Sequence, residues 1–320
     1  MQIQYSEAMT LKQLRCLREI SRQSLNISAA AAVLHTSQPG ISRQIQDLER
    51  ELGVDLLVRR KNRILDLTET GRQVLGMAER MLGEAENIRH VARENQNESE
   101  GELTLATSHL HARYTLRGPI KRFTKRYPRV RLRLLQADVD DVPRLVETSE
   151  ADVGISTDVV HEHPSLILLP SSPILRSVIM PRDHPLARRK KLTLADLARY
   201  PIVGYNPRSR GGQIIAKAFR ERDIEARFVV SASDSDVIKT YVEEGLGIAV
   251  VPTLALAGSE TKVHAVDATQ LFPRSVMVVS LRRNIYLRRY LVDFIRMLVP
   301  DLDQAAIQRA ADEPAARAGR

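Results

Sequence analysis

The chain has 320 residues, more than one hydrophobic core usually organises, which implies two domains and room for a small third piece. With 43% hydrophobic and 27% charged residues and 15 each of Gly and Pro, it is neither low-complexity nor disordered as a whole. The formal charge of +9 points to a polyanionic partner, yet residues 1–100 hold 14 basic and 14 acidic side chains, so the surplus falls in residues 101–320 and bulk charge does not mark a DNA-binding end. The longest apolar stretches, such as Ile248–Leu256, are too short to cross a bilayer, and Met1–Thr10 lacks the pattern of an export signal. A soluble, cytoplasmic protein without membrane contact is expected. The single cysteine, Cys16, excludes an internal disulfide and a thiolate metal site and reads as a small buried hydrophobe.

Thr10 precedes Leu11, Leu14, Leu17 and Ile20, one apolar stripe of a first helix. Ser28 is expected to cap a short second helix over the alanine-rich run Ala29–Leu34. A third begins at Ser37, with Pro39 in its first turn; Ile41, Ile45, Leu48 and Leu52 line one side and Gly53 stops it. The last two helices, joined by a short turn, make a helix-turn-helix whose outward side chains are Gln38, Ser42, Arg43 and Gln46. These types suit the reading of base edges: Arg forks onto guanine, Gln pairs with adenine and Ser bonds phosphate or base. An ordinary solvated helix face is the alternative. Asp55–Val58 and Ile64–Leu67 then flank Arg59, Arg60, Lys61, Asn62 and Arg63, a hairpin with a basic tip that suits a phosphate backbone or a minor groove. Ser28, Ser37 and Pro39 complete the candidate DNA-contacting set.

Thr68 opens a long helix on which Val74, Ala78, Met81, Ala85, Ile88 and Ala92 recur at spacings of four and three. That seam pairs two chains or packs on its own chain. Asn95–Gly101 reads as a linker. From Glu102 strands and helices alternate: strand Leu103–Thr107, helix Tyr114–Arg126, strand Val130–Leu135, helix Asp141–Thr148 and strand Val153–Ser156. A second run has strand Ile202–Tyr205, helix Gly212–Arg222, strand Arg227–Val230, helix Ser235–Glu244 and strand Ile248–Val251. Such alternation predicts two α/β lobes built on parallel sheets, with crossings near Pro164–Pro170 and Val263–Asp267 and a cleft between them.

Ala29–Leu34 followed by Ser37-Gln38-Pro39-Gly40-Ile41-Ser42, then Leu48–Gly53 and Leu67-Thr68-Glu69-Thr70-Gly71, resembles the N-terminal domain of LysR-type transcriptional regulators. A narrower likeness, to the CysB and Cbl branch of that family, rests on Ala106-Thr107-Ser108-His109, Ala112-Arg113-Tyr114, Arg126–Val130, Asp183–Leu186 and Asp236–Val242. The resemblance implies an α/β protein: a winged helix-turn-helix over 1–68, a dimerisation helix over 69–97, and an effector domain over 102–303 similar to periplasmic binding proteins. Its lobes would be 102–170 plus 268–303, and 171–267, with a flexible tail over 304–320. It also implies promoter DNA as partner, a homodimer and from it a homotetramer, RNA polymerase as a further partner, and control of sulfur metabolism genes.

Ser108 and Thr157 follow strands of one lobe, where open α/β sheets bind ligands, and helix N-termini favour anions there. In the other lobe, Asn206–Gly212 combines glycines with Arg208 and Arg210. A small anion between the lobes satisfies these features; a solvated loop is the alternative for the two arginines. The resemblance implies sulfate-like anions or acetylserine as effectors. The candidate effector-binding set is Thr107, Ser108, His109, His111, Thr157, Arg208, Ser209, Arg210 and Asp236. Leu110, His111 and Arg210 depart from the branch, which leaves a more anionic or a different effector open. Asp234 and Asp236 precede a helix and read as N-terminal caps rather than an acid-base pair. There is no HExxH arrangement and no phosphate loop or nucleophile elbow, so no metal, cofactor or catalytic residue is expected. The reading is a DNA-binding regulator and not an enzyme. A regulator of another pathway answering to a carboxylate or aromatic metabolite, and a solute-binding protein, are the alternatives.

Overall fold

The computed structural model describes residues 9–60, 63–94, 100–159, 161, 163–257, 262–283, 285–302, 305 and 307–309. The chain divides into two compact units, Met1–Gln96 and Asn97–Arg320.

In the first unit, α1 (Leu11–Arg22) starts at Thr10, whose hydroxyl accepts from the Gln13 amide while the Gln13 side chain accepts from the Thr10 N–H. Helix α2 (Ile27–Val33) is capped by Asn26, which accepts from Ala29 N at 3.0 Å, and not by Ser28 as expected. Two good caps lie two residues apart, and the earlier one wins. Helix α3 (Gln38–Leu52) begins at Ser37, which accepts from Gly40 N, and ends at Gly53 with φ 69°, a left-handed conformation suited to glycine. Strands β1 (Leu57–Arg60) and β2 (Arg63–Leu67) form an antiparallel hairpin. Lys61 and Asn62, at the expected basic tip, lie outside the described residues. Helix α4 (Glu69–Glu94) follows Thr68, whose hydroxyl accepts from Gly71 N and donates to the Asp55 carbonyl. Leu14, Leu17, Ile20, Ile41, Ile45 and Leu48 form the core with Ala78 and Leu82 of α4. Cys16 is buried among them.

The second unit opens with β3 (Gly101–Thr107), so Gly101 belongs to a strand and not to the expected linker, whose residues 95–99 lie outside the described set. A π-helical turn, His111–Thr115, precedes α5 (Arg117–Arg126), in place of one continuous helix. Then come β4 (Val130–Gln136), α6 (Val142–Glu147), β5 (Val153–Thr157), β6 (Leu166–Pro173), β7 (Arg176–Pro181), α7 (Leu194–Ala198) and β8 (Ile202–Tyr205). After these follow α8 (Arg210–Arg220), β9 (Phe228–Ala232), α9 (Ser235–Glu243), β10 (Ala249–Pro252), β11 (Val263–Asp267), β12 (Val276–Arg282) and α10 (Arg289–Leu298).

The sheets are mixed, not parallel throughout. In lobe I the order is β4-β3-β5-β12-β6, with β3 parallel to β4 and β5 but β12 antiparallel to β5 and β6. In lobe II β7 runs antiparallel to β10 and β11, while β8 and β9 pair parallel. The segments expected as crossings, Pro164–Pro170 and Val263–Asp267, lie largely in β6 and in β11. Pro170 and Pro173 are tolerated because β6 is an edge strand, where a missing N–H costs no ladder bond. The chain crosses instead at residues 174–175 and returns at 273–275.

Phe123 and Phe294 meet edge-on at 5.4 Å at the centre of the lobe I core, and Ile202, Ile215, Phe219 and Ile248 anchor that of lobe II. Ile307 is fully buried in the lobe I core, so packing extends past the expected boundary at 303. Residues 303–304, 306 and 310–320, most of the expected tail, lie outside the described residues.

Candidate nucleic-acid interface and ligand cleft

Helix α3 turns Ile41, Ile45 and Leu48 into the core of the first unit, which leaves the opposite side in solvent. Gln38, Pro39, Arg43 and Gln46 are exposed on it, Ser37 at its start is exposed and Ser42 is half-buried. The Arg43 side chain is 83% exposed, with Asp47 as a distant partner at 3.9 Å. Ser28, on the surface of α2, donates to Gln38 Oε1 at 3.3 Å and links the two helices of the motif. One group guanidinium fork, two amides and a hydroxyl therefore share one face, the set needed to read base edges.

The basic hairpin is more structured than its composition implies. Glu49 on α3 is buried and accepts from Leu56 N at 2.8 Å and Leu57 N at 3.2 Å; Arg59 donates to it through both terminal nitrogens, at 3.1 and 2.8 Å. This fork ties β1 to the end of α3, so Arg59 holds the hairpin in place, while Arg60 remains exposed. Arg63 is the first residue of β2, paired in register with Arg60.

The α4 seam divides. Ala78 is buried against the same unit, whereas Met77, Met81 and Ile88 are exposed, Ile88 by 71%. Its upper half thus packs within the chain and its lower half offers unpaired apolar surface.

In the second unit a cavity of 720 Å³ lies between the lobes. From the lobe I side come Ser108, His109 and Thr157; from lobe II come Arg176, Tyr205, Arg208, Ser209 and Arg210. Ser108 is only 7% exposed and its Oγ is buried without a hydrogen-bond partner. Arg210, the first residue of α8, has its Nε buried and equally unpartnered. Buried polar groups are normally satisfied, so two orphans in one cavity mark a place where a ligand's oxygen atoms belong. Ser209 caps α8, accepting from Gly212 N and donating to the Asn206 carbonyl. At Gly212 a Cβ would lie 2.2 Å from the Asn206 oxygen, so only glycine lets this loop close so tightly on the helix. Arg208 is exposed at the mouth.

Three expected effector residues do not line the cavity. Thr107 is buried and donates to the Ile155 carbonyl at 2.9 Å. His111 is fully buried, with Nδ1 at 2.9 Å from Thr115 Oγ1 and Nε2 at 3.0 Å from Thr157 Oγ1; burial pushes it down to about 4, only partly offset by a backbone bond at Ser156, so it is neutral at pH 7. It positions Thr157 and offers an anion no charge. Asp236 forms instead a bridge between lobes. It meets Lys239 at 2.9 Å on its own helix, and from lobe I it meets His109 Nε2 at 3.1 Å, Arg113 Nε at 2.9 Å and the Tyr114 hydroxyl at 2.5 Å. Lys239 also donates to Tyr114 Oη and to the Ala255 carbonyl. The partner reading of Asp234 holds: it caps α9 through the amides of Asp236 and Val237. His109, Asp234 and Asp236 cluster closely enough to invite comparison with a metal site, but Arg113 and Lys239 already neutralise Asp236. Asp158, at φ 50°, exchanges bonds with the Val276 backbone and fastens β5 to β12.

Arg176 escaped the sequence reading, because a lone cation beginning an apolar strand carries no motif. It is 6% exposed, donates to the Pro273 carbonyl and Ser275 Oγ, and lines the cavity. Burial lowers its pKa, and the nearby Arg210 charge pushes in the same direction. Two guanidinium groups are thus held close in a sheltered site.

A winged helix-turn-helix in one unit and a two-lobed ligand cleft in the other define a DNA-binding regulator that answers to a small molecule. Residues 11–72 match the bacterial regulatory helix-turn-helix proteins of the lysR family, and residues 96–303 match the LysR substrate binding domain. The chain belongs to the LysR family of transcriptional regulators. It is 42% identical to the HTH-type transcriptional regulator SsuR of Burkholderia cenocepacia over 300 residues, 93% of this chain and 97% of that one. It is 38% identical to CysB of the same organism over 303 residues, 94% and 97% of the two chains. The crystal structure of the cofactor-binding domain of the Cbl transcriptional regulator superposes with a TM-score of 0.63 at 35% identity, covering 68% of this chain and 96% of that one. These relatives are named as regulators, and this chain is a transcriptional regulator rather than an enzyme.

Proposed function

We propose that this regulator controls sulfur metabolism genes, in cysteine biosynthesis and in sulfate or sulfonate assimilation, in response to a small anion bound between the lobes. The observation that carries the anion is the pair of buried, unpartnered donors, Ser108 Oγ and Arg210 Nε, on a cavity that also receives Arg176. The pathway rests on the likeness to SsuR, CysB and Cbl. Gln38, Ser42, Arg43 and Gln46 read bases in this account, while Arg60 and the hairpin contact phosphates. The exposed Met81 and Ile88 of α4 pair two chains, which places two reading helices on the half-sites of a pseudo-palindrome, and two such dimers make a tetramer that meets RNA polymerase at the promoter. Effector binding shifts the lobes, and it does so only to the extent that the effector prefers one state.

Mapping protected sites across the genome tests the pathway. Sites upstream of sulfur acquisition genes are expected; sites confined to genes for aromatic or carboxylate catabolism would overturn it.

A further inference from the structure

The volume of the cleft and the nature of its walls restrict the anion further than charge alone. At 720 Å³ the cavity falls within the roughly 300–1,000 Å³ of pockets that enclose organic ligands. A free four-oxygen ion needs little more than about two water volumes, ~60 Å³. Such an ion at Ser108 and Arg210 leaves most of the space to water. The remaining wall is not built for water: Ile174, Ile214, Ile215 and Val250 line the cavity, and each belongs to the hydrophobic core of its lobe. The polar donors, by contrast, come from both lobes, Ser108 from the end of β3 and Arg176 and Arg210 from lobe II. A group with three or more oxygens accepts from both sides at once, and the close Arg176 and Arg210 charges favour it further.

We infer that the cleft takes an organic oxyanion, a tetrahedral oxyanion group carried on an apolar body, with the head between Ser108, Arg176 and Arg210 and the body along the isoleucines. The inference rests on the anion-responsive cleft proposed above and narrows its ligand class to sulfonates, sulfate esters or phosphate monoesters. Burial of the body contributes affinity and the head fixes orientation, the usual division of labour in such pockets.

Calorimetric titration of the full chain with sulfate, methanesulfonate, butanesulfonate, hexanesulfonate, butyl phosphate, hexanoate and hexanol tests this. Affinity should rise about fourfold per added methylene, on the order of 50-fold from methanesulfonate to butanesulfonate. Hexanoate should fall well below hexanesulfonate, and Arg210→Gln should weaken every sulfonate at least tenfold. Butyl phosphate binding more tightly than butanesulfonate assigns a dianionic head, and the reverse assigns a monoanionic one; both support the inference. Sulfate binding as tightly as hexanesulfonate overturns the organic body but leaves the anion reading standing. Hexanoate equal to hexanesulfonate overturns the tetrahedral head. Hexanol matching hexanesulfonate, indifference to Arg210→Gln, or no heat with any probe overturns the anion reading itself. Ile215→Val, a mild change, should shrink the chain-length gain without altering sulfate binding; an unchanged gain counts against the apolar wall.

Discussion

Replacing Asp236 by Asn tests whether the bridge between the lobes holds them together. Burial pushes this carboxyl up, but hydrogen bonds from Tyr114, Lys239 and His109, with the Lys239 charge, outweigh it and carry it from the ordinary 3.8 to about 2. At about 1.4 kcal/mol per pKa step, that fall corresponds to roughly 2 kcal/mol in favour of the folded, ionised form. His109 and Arg113 stand well exposed to water, which screens their share, while Lys239 is only 8% exposed and keeps Tyr114 and Ala255 when the carboxylate goes. A loss of about 1.5–2 kcal/mol is therefore expected for Asp236→Asn at pH 7, read from the midpoint of the second unit's urea transition by circular dichroism. Because the folded pKa is depressed, this stability is present above about pH 4 and is lost as pH falls through 2. The gap between wild type and variant should narrow over that window. A double-mutant cycle with Tyr114→Phe should show coupling of about 1 kcal/mol or more across the lobes. A loss below about 0.5 kcal/mol, with no coupling, would refute the bridge.

Other perturbations probe other parts of the molecule. Glu49→Ala strips the buried Leu56 and Leu57 amides of their acceptor and frees Arg59, at an expected cost of about 2 kcal/mol to the first unit, measured by thermal melting. His111 is neutral when folded, with a pKa of about 4 against an ordinary 6.5, so the unfolded chain takes up a proton that the folded one refuses. Stability should fall by about 3 kcal/mol between pH 6.5 and 4, and His111→Gln should remove that slope in urea titrations. Met81→Glu with Ile88→Asp should shift sedimentation toward a single chain without loss of helicity; unchanged mass would place the dimer contact elsewhere.

What was legible in the sequence was local. Thr10, Ser37 and Gly53 mark helix ends through bonds that span three or four residues, and each acts where expected. Ser28 misled because Asn26, two residues earlier, is an equally good cap. Strand direction was less accessible, since β12 pairs with β5 across more than 100 residues and no local pattern announces an antiparallel partner. The cleft shows the same division. Ser108, Thr157 and Arg210 follow from their places at strand ends and a helix start, whereas Arg176 has no motif, and the bridge from Asp236 to Tyr114 joins residues 122 apart. His111 has the chemistry of a ligand, yet the π-helical turn carries it inward, where burial decides its role.

The account turns on the face of α3, and binding of wild type and Arg43→Ala to a cognate promoter duplex and a scrambled one tests it most directly. Wild type should prefer the promoter, and Arg43→Ala should lose about 1–3 kcal/mol there while its affinity for the scrambled duplex stays nearly unchanged. Equal losses on both duplexes would make Arg43 a phosphate contact, and a wild type indifferent to promoter sequence would contradict base reading by this face.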